Sequence, residues 1–116
     1  AIEFYEQDLV IAREIGDRRG EGAALGNLGN AHADLGDARK AIEFYEQQLV
    51  IVREIGDRLG ESRASWNMGL LLAQQGRHTE AADRMQVLVD YFTEIRHPDA
   101  AKRRAEVERI RAGGEP

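Results

Sequence analysis

The chain has 116 residues, 42% hydrophobic and 32% charged, with a formal net charge of −5; this suits a folded domain and argues against a nucleic-acid partner, whose binder is normally basic. It contains no cysteine, which excludes disulfide and thiolate chemistry and is compatible with a reducing, cytoplasmic location. No apolar run approaches the roughly 20 residues of a bilayer-spanning helix, no basic-then-apolar leader opens the chain, and a start at Ala1 without Met fits an excised fragment.

The first predicted element is a helix within residues 1–17. Residues 1–21 read AIEFYEQDLVIAREIGDRRGE and return as residues 41–61, changed only at Asp8/Gln48, Ala12/Val52 and Arg19/Leu59. The period is therefore 40 residues, and the opening helix is a lone copy of the longer helix in each later unit. Residues 18–57 and 58–97 each predict a helix–turn–helix. In the first unit the shorter helix carries a core stripe of Leu25, Leu28, His32 and Leu35. The longer one, about Ala38 to Ile55, places Ala41, Tyr45, Leu49, Val52 and Ile55 three or four residues apart, one apolar stripe. Phe44 and Ile51 widen that stripe, so this helix is expected to pack on two sides. Leu35-Gly36-Asp37 and Gly56-Asp57 supply a glycine that ends one helix and an aspartate that caps the next. Gly76 stops equally well, but the Arg-His-Thr after it is a weaker start.

The second unit repeats Gly29 as Gly69 and Asn27 as Asn67, and a decayed third copy of the long helix runs from Ala81 to Ile95. Gly29, Gly69, Ala41 and Ala81 are expected where helices cross closely. His97-Pro98-Asp99 then interrupts the pattern. Residues 98–112 predict a charged helix with few apolar residues, read as a terminal cap, and 113–116 as a frayed tail. Short connections make neighbouring helices antiparallel, and stacked hairpins bury what one hairpin leaves open. The expectation is one all-α domain over residues 1–112.

These residues resemble tetratricopeptide repeats. Leu25 to His32 is similar to the first-helix signature with its Leu28-Gly29 pair, Leu35-Gly36-Asp37 to the turn, and Ala41 with Tyr45 to the second-helix pair. The 40-residue period is similar to the longer variant of Pins-type adaptors, kinesin light chains and bacterial signalling proteins. The second unit departs from the pattern at Met68, Leu72 and Met85, all hydrophobic exchanges. The resemblance covers about residues 1–95 and implies a right-handed α-solenoid whose concave face is lined by the first helix of each pair.

On that face the candidates are Asn27, Asn30 and Asp34 from the first pair and Arg63, Trp66, Asn67, Leu70 and Gln74 from the second. Asparagine offers both donors and an acceptor, which suits it to bracket a peptide group. The resemblance implies that Asn27, Asn30 and Asn67 grip ligand backbone. Trp66 is a candidate apolar anchor, or equally an inter-helix packing residue, and Arg63 a partner for a carboxylate.

Other patterns carry less. Gly20-Glu21-Gly22-Ala23-Ala24-Leu25-Gly26 follows a helix rather than a strand, so it is no dinucleotide loop. His32, His78 and His97 lack metal-ligand spacing, and no metal or other cofactor is expected. Lys102-Arg103-Arg104 is followed at once by Glu106 and Glu108. With no nucleophile–base pair, catalysis is not expected. The leading reading is a scaffold that binds a peptide or partner protein. The alternative is self-association, as a homodimer through the apolar face of residues 1–15, by two-fold docking or exchange.

Overall fold

Glycine and aspartate punctuate the chain. The computed structural model, which describes residues 1–116, contains α1 (Ile2–Ile15), α2 (Arg18–Asp34), α3 (Ala38–Glu54), α4 (Arg58–Gln74), α5 (His78–Glu94) and α6 (Ala100–Arg111), and no strand. The all-α class is the one expected. Gly16, Gly36, Gly56 and Gly76 end the first four helices with φ of 71° to 81°, the left-handed conformation that lets a helix close on itself. Asp17, Asp37 and Asp57 then accept hydrogen bonds from the amides of Gly20, Lys40 and Gly60 at 2.9, 3.2 and 2.9 Å, each satisfying an orphan donor of the next helix. Where Arg77 replaces aspartate, α5 begins without a side-chain cap, and Arg77 pairs with Glu80 at 2.7 Å. None of these helices is long and apolar enough to cross a membrane.

The chain packs as two compact units, Ala1–Ala64 and Ser65–Pro116, with the boundary inside α4. In the first, α2 lies against α1 and α3. Its core holds Leu9, Ala24, Leu25, Leu28 and Ile51, with Ile2, Tyr5 and Phe44 packed around it. Full burial of a leucine or isoleucine stabilises by about 1.5–3 kcal/mol. The small residues of α2 set the approach of α3. A Cβ added to Gly29 would stand 2.5 Å from Cε1 of Tyr45, and one on Gly22 3.3 Å from Cγ2 of Ile51. Ile51 thus packs on the second flank, as expected.

Two members of the expected core stripe differ. Leu35 is 70% exposed, because α2 ends at Asp34 and Leu35 is its C-cap. His32 is only half-buried and stacks on Phe44 with ring centroids 5.3 Å apart.

In the second unit Gly69 faces Met85 and the carbonyl of Ala81, and Ala81 is fully buried. The close crossings expected at Gly29, Gly69 and Ala81 are therefore present, and Ala41 is fully buried. Helix α6 packs on α5 and buries Val107 and Ile110. After it, the amides of Gly113 and Gly114 donate to the carbonyls of Ile110 and Arg109 at 2.9 Å each.

Candidate functional site

Helix α2 buries one side and leaves another in solvent. Leu25, Leu28 and Gly29 are buried, whereas Ala23, Asn27, Asn30 and Asp34 are exposed. Their spacing of four, three and four residues puts all four on one stripe. The candidates on α2 thus share one solvent face, as their spacing requires.

This face is tied to the core at one point. The Tyr45 hydroxyl donates to Oδ1 of Asn30 at 2.5 Å. Tyr45 itself is 3% exposed, so a rigid ring holds the amide from below. With its oxygen engaged, Asn30 has its two N–H donors left for an outside partner. No hydrogen bond within the chain engages the Asn27 side chain. Burial, and secondarily the negative charge of Asp34, push the Tyr45 phenol above its ordinary pKa. The hydroxyl therefore stays protonated and remains a donor at neutral pH.

Beneath the same face, Gly26 lies under the amide of Gln48, whose Nε2 stands 2.6 Å from where a Cβ would be. Ion pairs lock the other end of α2. Arg13 and Arg18 donate to Glu21 at 3.1 and 2.8 Å, and Arg18 also bonds Glu54. Burial disfavours the Glu21 carboxylate, but the two arginine hydrogen bonds outweigh it and hold its pKa below the usual glutamate value. The device recurs 40 residues on, where Arg53 donates to Glu61 at 2.8 Å.

Along α4 the matching stripe is Arg63, Asn67, Leu70 and Gln74. Arg63 and Gln74 are exposed, Asn67 and Leu70 half-buried. Trp66 is only 9% exposed, and the Arg103 guanidinium lies 5.2 Å from its ring centroid. That cation–π contact occupies the ring within the second unit and leaves little of it for a ligand. The Tyr45 clamp on Asn30 was missed in the sequence. Its signal was present, a tyrosine 15 residues after an asparagine, but only helix packing brings the two together.

The sequence profile described as tetratricopeptide repeat matches residues 20–94. Among curated proteins, the G-protein-signaling modulator 1 of Mus musculus, Rattus norvegicus and Homo sapiens are each similar, at 51% identity over 41 residues. That stretch is 35% of this chain and 6% of each relative. The chain thus spans about 6% of the length of the curated relatives it matches.

Proposed function

The chain belongs to the tetratricopeptide-repeat family, matched over residues 20–94, and from that premise we propose that it binds peptide through outward helix faces, that of α2 and, separately, that of α4. Repeats of this family mediate protein–protein interaction. Asn27 and Asn30, with Asp34, act on the face of α2; Asn67, with Arg63, Leu70 and Gln74, acts on that of α4. Trp66 serves as packing under Arg103 rather than as the anchor. The observation that carries this reading is the clamped, solvent-facing amide of Asn30 beside the unengaged amide of Asn27. Side chains already fixed before binding lose little entropy when a ligand arrives. The relatives are named as modulators of G-protein signalling, which favours a signalling role for a protein that contains this module.

The test is capture from a displayed peptide library. Asn27→Ala with Asn67→Ala should weaken captured peptides about tenfold or more, two hydrogen bonds each contributing about 0.5–1.5 kcal/mol. Circular dichroism should show unchanged helix content. Undiminished binding by the double variant defeats the asparagine clamp.

A second reading is self-association through α1. It is favoured by Phe4, Val10, Ile11 and Ile15, which are 62%, 53%, 54% and 71% exposed.

A further inference from the structure

Helices α1 and α3 carry nearly the same residues, so α3 shows what each side of α1 is shaped to meet. Ile51 is buried over Gly22, Gln48 lies over Gly26 and Tyr45 over Gly29. Large side chains of α3 thus sit on small residues of the helix before it. The counterpart of Ile51 is Ile11, and it is exposed. Phe4, Ile11 and Ile15 form the outward ridge of α1, flanked by Asp8 on one side and by Glu3 and Glu14 on the other. None of these three carboxylates takes part in an ion pair of the chain. An open depression lies on one flank of this ridge, lined by Glu3, Glu6, Gln7, Val10 and Ile11.

Helix α6 has the converse surface. Val107 and Ile110 point inward, and on the opposite side Ala101, Ala105 and Ala112 are exposed. Ala105 and Ala112 lie four and eleven residues after Ala101, as Gly26 and Ala33 lie after Gly22 on α2; at the seventh position, where α2 has Gly29, α6 has Glu108. Lys102 and Arg109 border the alanines on one edge, Arg104 and Arg111 on the other, and Glu108 is the single carboxylate among them. Arg111 is ion-paired with Asp83 at 2.9 Å, and Arg104 and Arg109 donate to the Thr93 hydroxyl and the Glu115 carbonyl. Helix α1 holds four carboxylates and one arginine; α6 holds five cations and two carboxylates.

We propose that the chain associates head to tail, the acidic apolar ridge of α1 seating on the alanine face of α6 from a second copy. This rests on the self-association reading and names its partner surface. Two α1 ridges docked by two-fold symmetry would bring Glu3, Asp8 and Glu14 of both copies together, a like-charge contact. Docking on α6 sets each against cations and offers Ile11 the small side chains of Ala101 and Ala105.

Sedimentation velocity on the 116-residue chain over a range of concentrations tests this. Association is expected, and weakening as salt rises from about 0.01 M to about 0.15 M, where the screening length falls from about 30 Å to about 8 Å. Ile11→Asp should leave a monomer. Lys102→Glu with Arg109→Glu should weaken association about tenfold, as should Glu3→Lys with Glu14→Lys, since each reversal turns exposed attraction into repulsion. Mixing these two charge-reversed chains should restore complexes, because each then offers the other an opposite surface. The four residues changed in the two double variants are all exposed, so thermal unfolding should stay near that of the parent. Association untouched by the α6 reversal overturns the head-to-tail seat while leaving self-association through α1 standing. A monomer at every concentration overturns both and assigns the α1 ridge to some other occupant.

Discussion

Arg96 is the one non-glycine residue with positive φ, at 57°. It closes α5 at the position that Gly16 and Gly56 hold in the earlier copies. An L-residue in this region costs about 1–2 kcal/mol relative to a right-handed conformation, a cost glycine avoids. Arg96→Gly should therefore stabilise the chain by about 1 kcal/mol, read from the urea midpoint. Ser65 presents a second local conflict. It is fully buried, its Oγ has no hydrogen-bond partner, and it occupies the place of Leu25 one period earlier. Because an unsatisfied buried hydroxyl costs about 1–3 kcal/mol, Ser65→Ala should raise stability by about 1 kcal/mol. Differential scanning calorimetry checks this, and a loss of stability would mean that the hydroxyl is in fact satisfied.

At the scale of helices, the glycines of α2 differ in what alanine would meet. At Gly22 an added Cβ makes a tight contact with Ile51, which the gain in helix propensity of about 1 kcal/mol offsets. At Gly29 it would enter the Tyr45 ring, and that ring is buried and tethered to Asn30. Gly29→Ala should thus cost about 1–3 kcal/mol, the usual penalty of overpacking, while Gly22→Ala stays near neutral in the same denaturant titration. The attachment of α1 and α3 to α2 also has a pH signature. The Glu21 pKa is depressed in the folded state by Arg13 and Arg18, against the effect of burial. Its contribution is complete above the unfolded value, about 4.3, and is lost as pH falls through the folded value. Unfolding free energy measured between about pH 5 and pH 3 should consequently fall less steeply for Glu21→Gln than for the parent.

For the whole molecule, charge is unevenly divided. The first unit contains 13 acidic and 8 basic residues, the second 8 of each, so the first carries the full net charge of −5. Asp34 adds a carboxylate to the very stripe that bears Asn27 and Asn30. Peptides captured in an Asn27-dependent manner should be enriched in lysine or arginine, and Asp34→Asn should reduce that enrichment without abolishing capture. Sequencing the selected pools with and without the substitution checks this; a bias unchanged by Asp34→Asn would place its origin elsewhere. Steering by net charge acts at a distance and weakens with salt, whereas the amide contacts do not.

The helices and their repeat were legible because they depend on local chemistry: glycine stops, aspartate caps and apolar residues three or four apart. The same spacing put Asn27, Asn30 and Asp34 on one stripe, and their exposure follows from Leu25 and Leu28 facing the other way. Burial at the ends of elements was not legible. Leu35 fits the stripe by number yet lies past the last turn of α2, where no neighbour covers it. Register leaves Trp66 open to either an anchor or a packing role, and only the fold shows Arg103, 37 residues on, over its ring. The Tyr45 bond that orients Asn30 likewise joins two helices. Local sequence determines which side chains share a helix face; only the packed neighbours decide whether that face meets solvent, a ring or a charge.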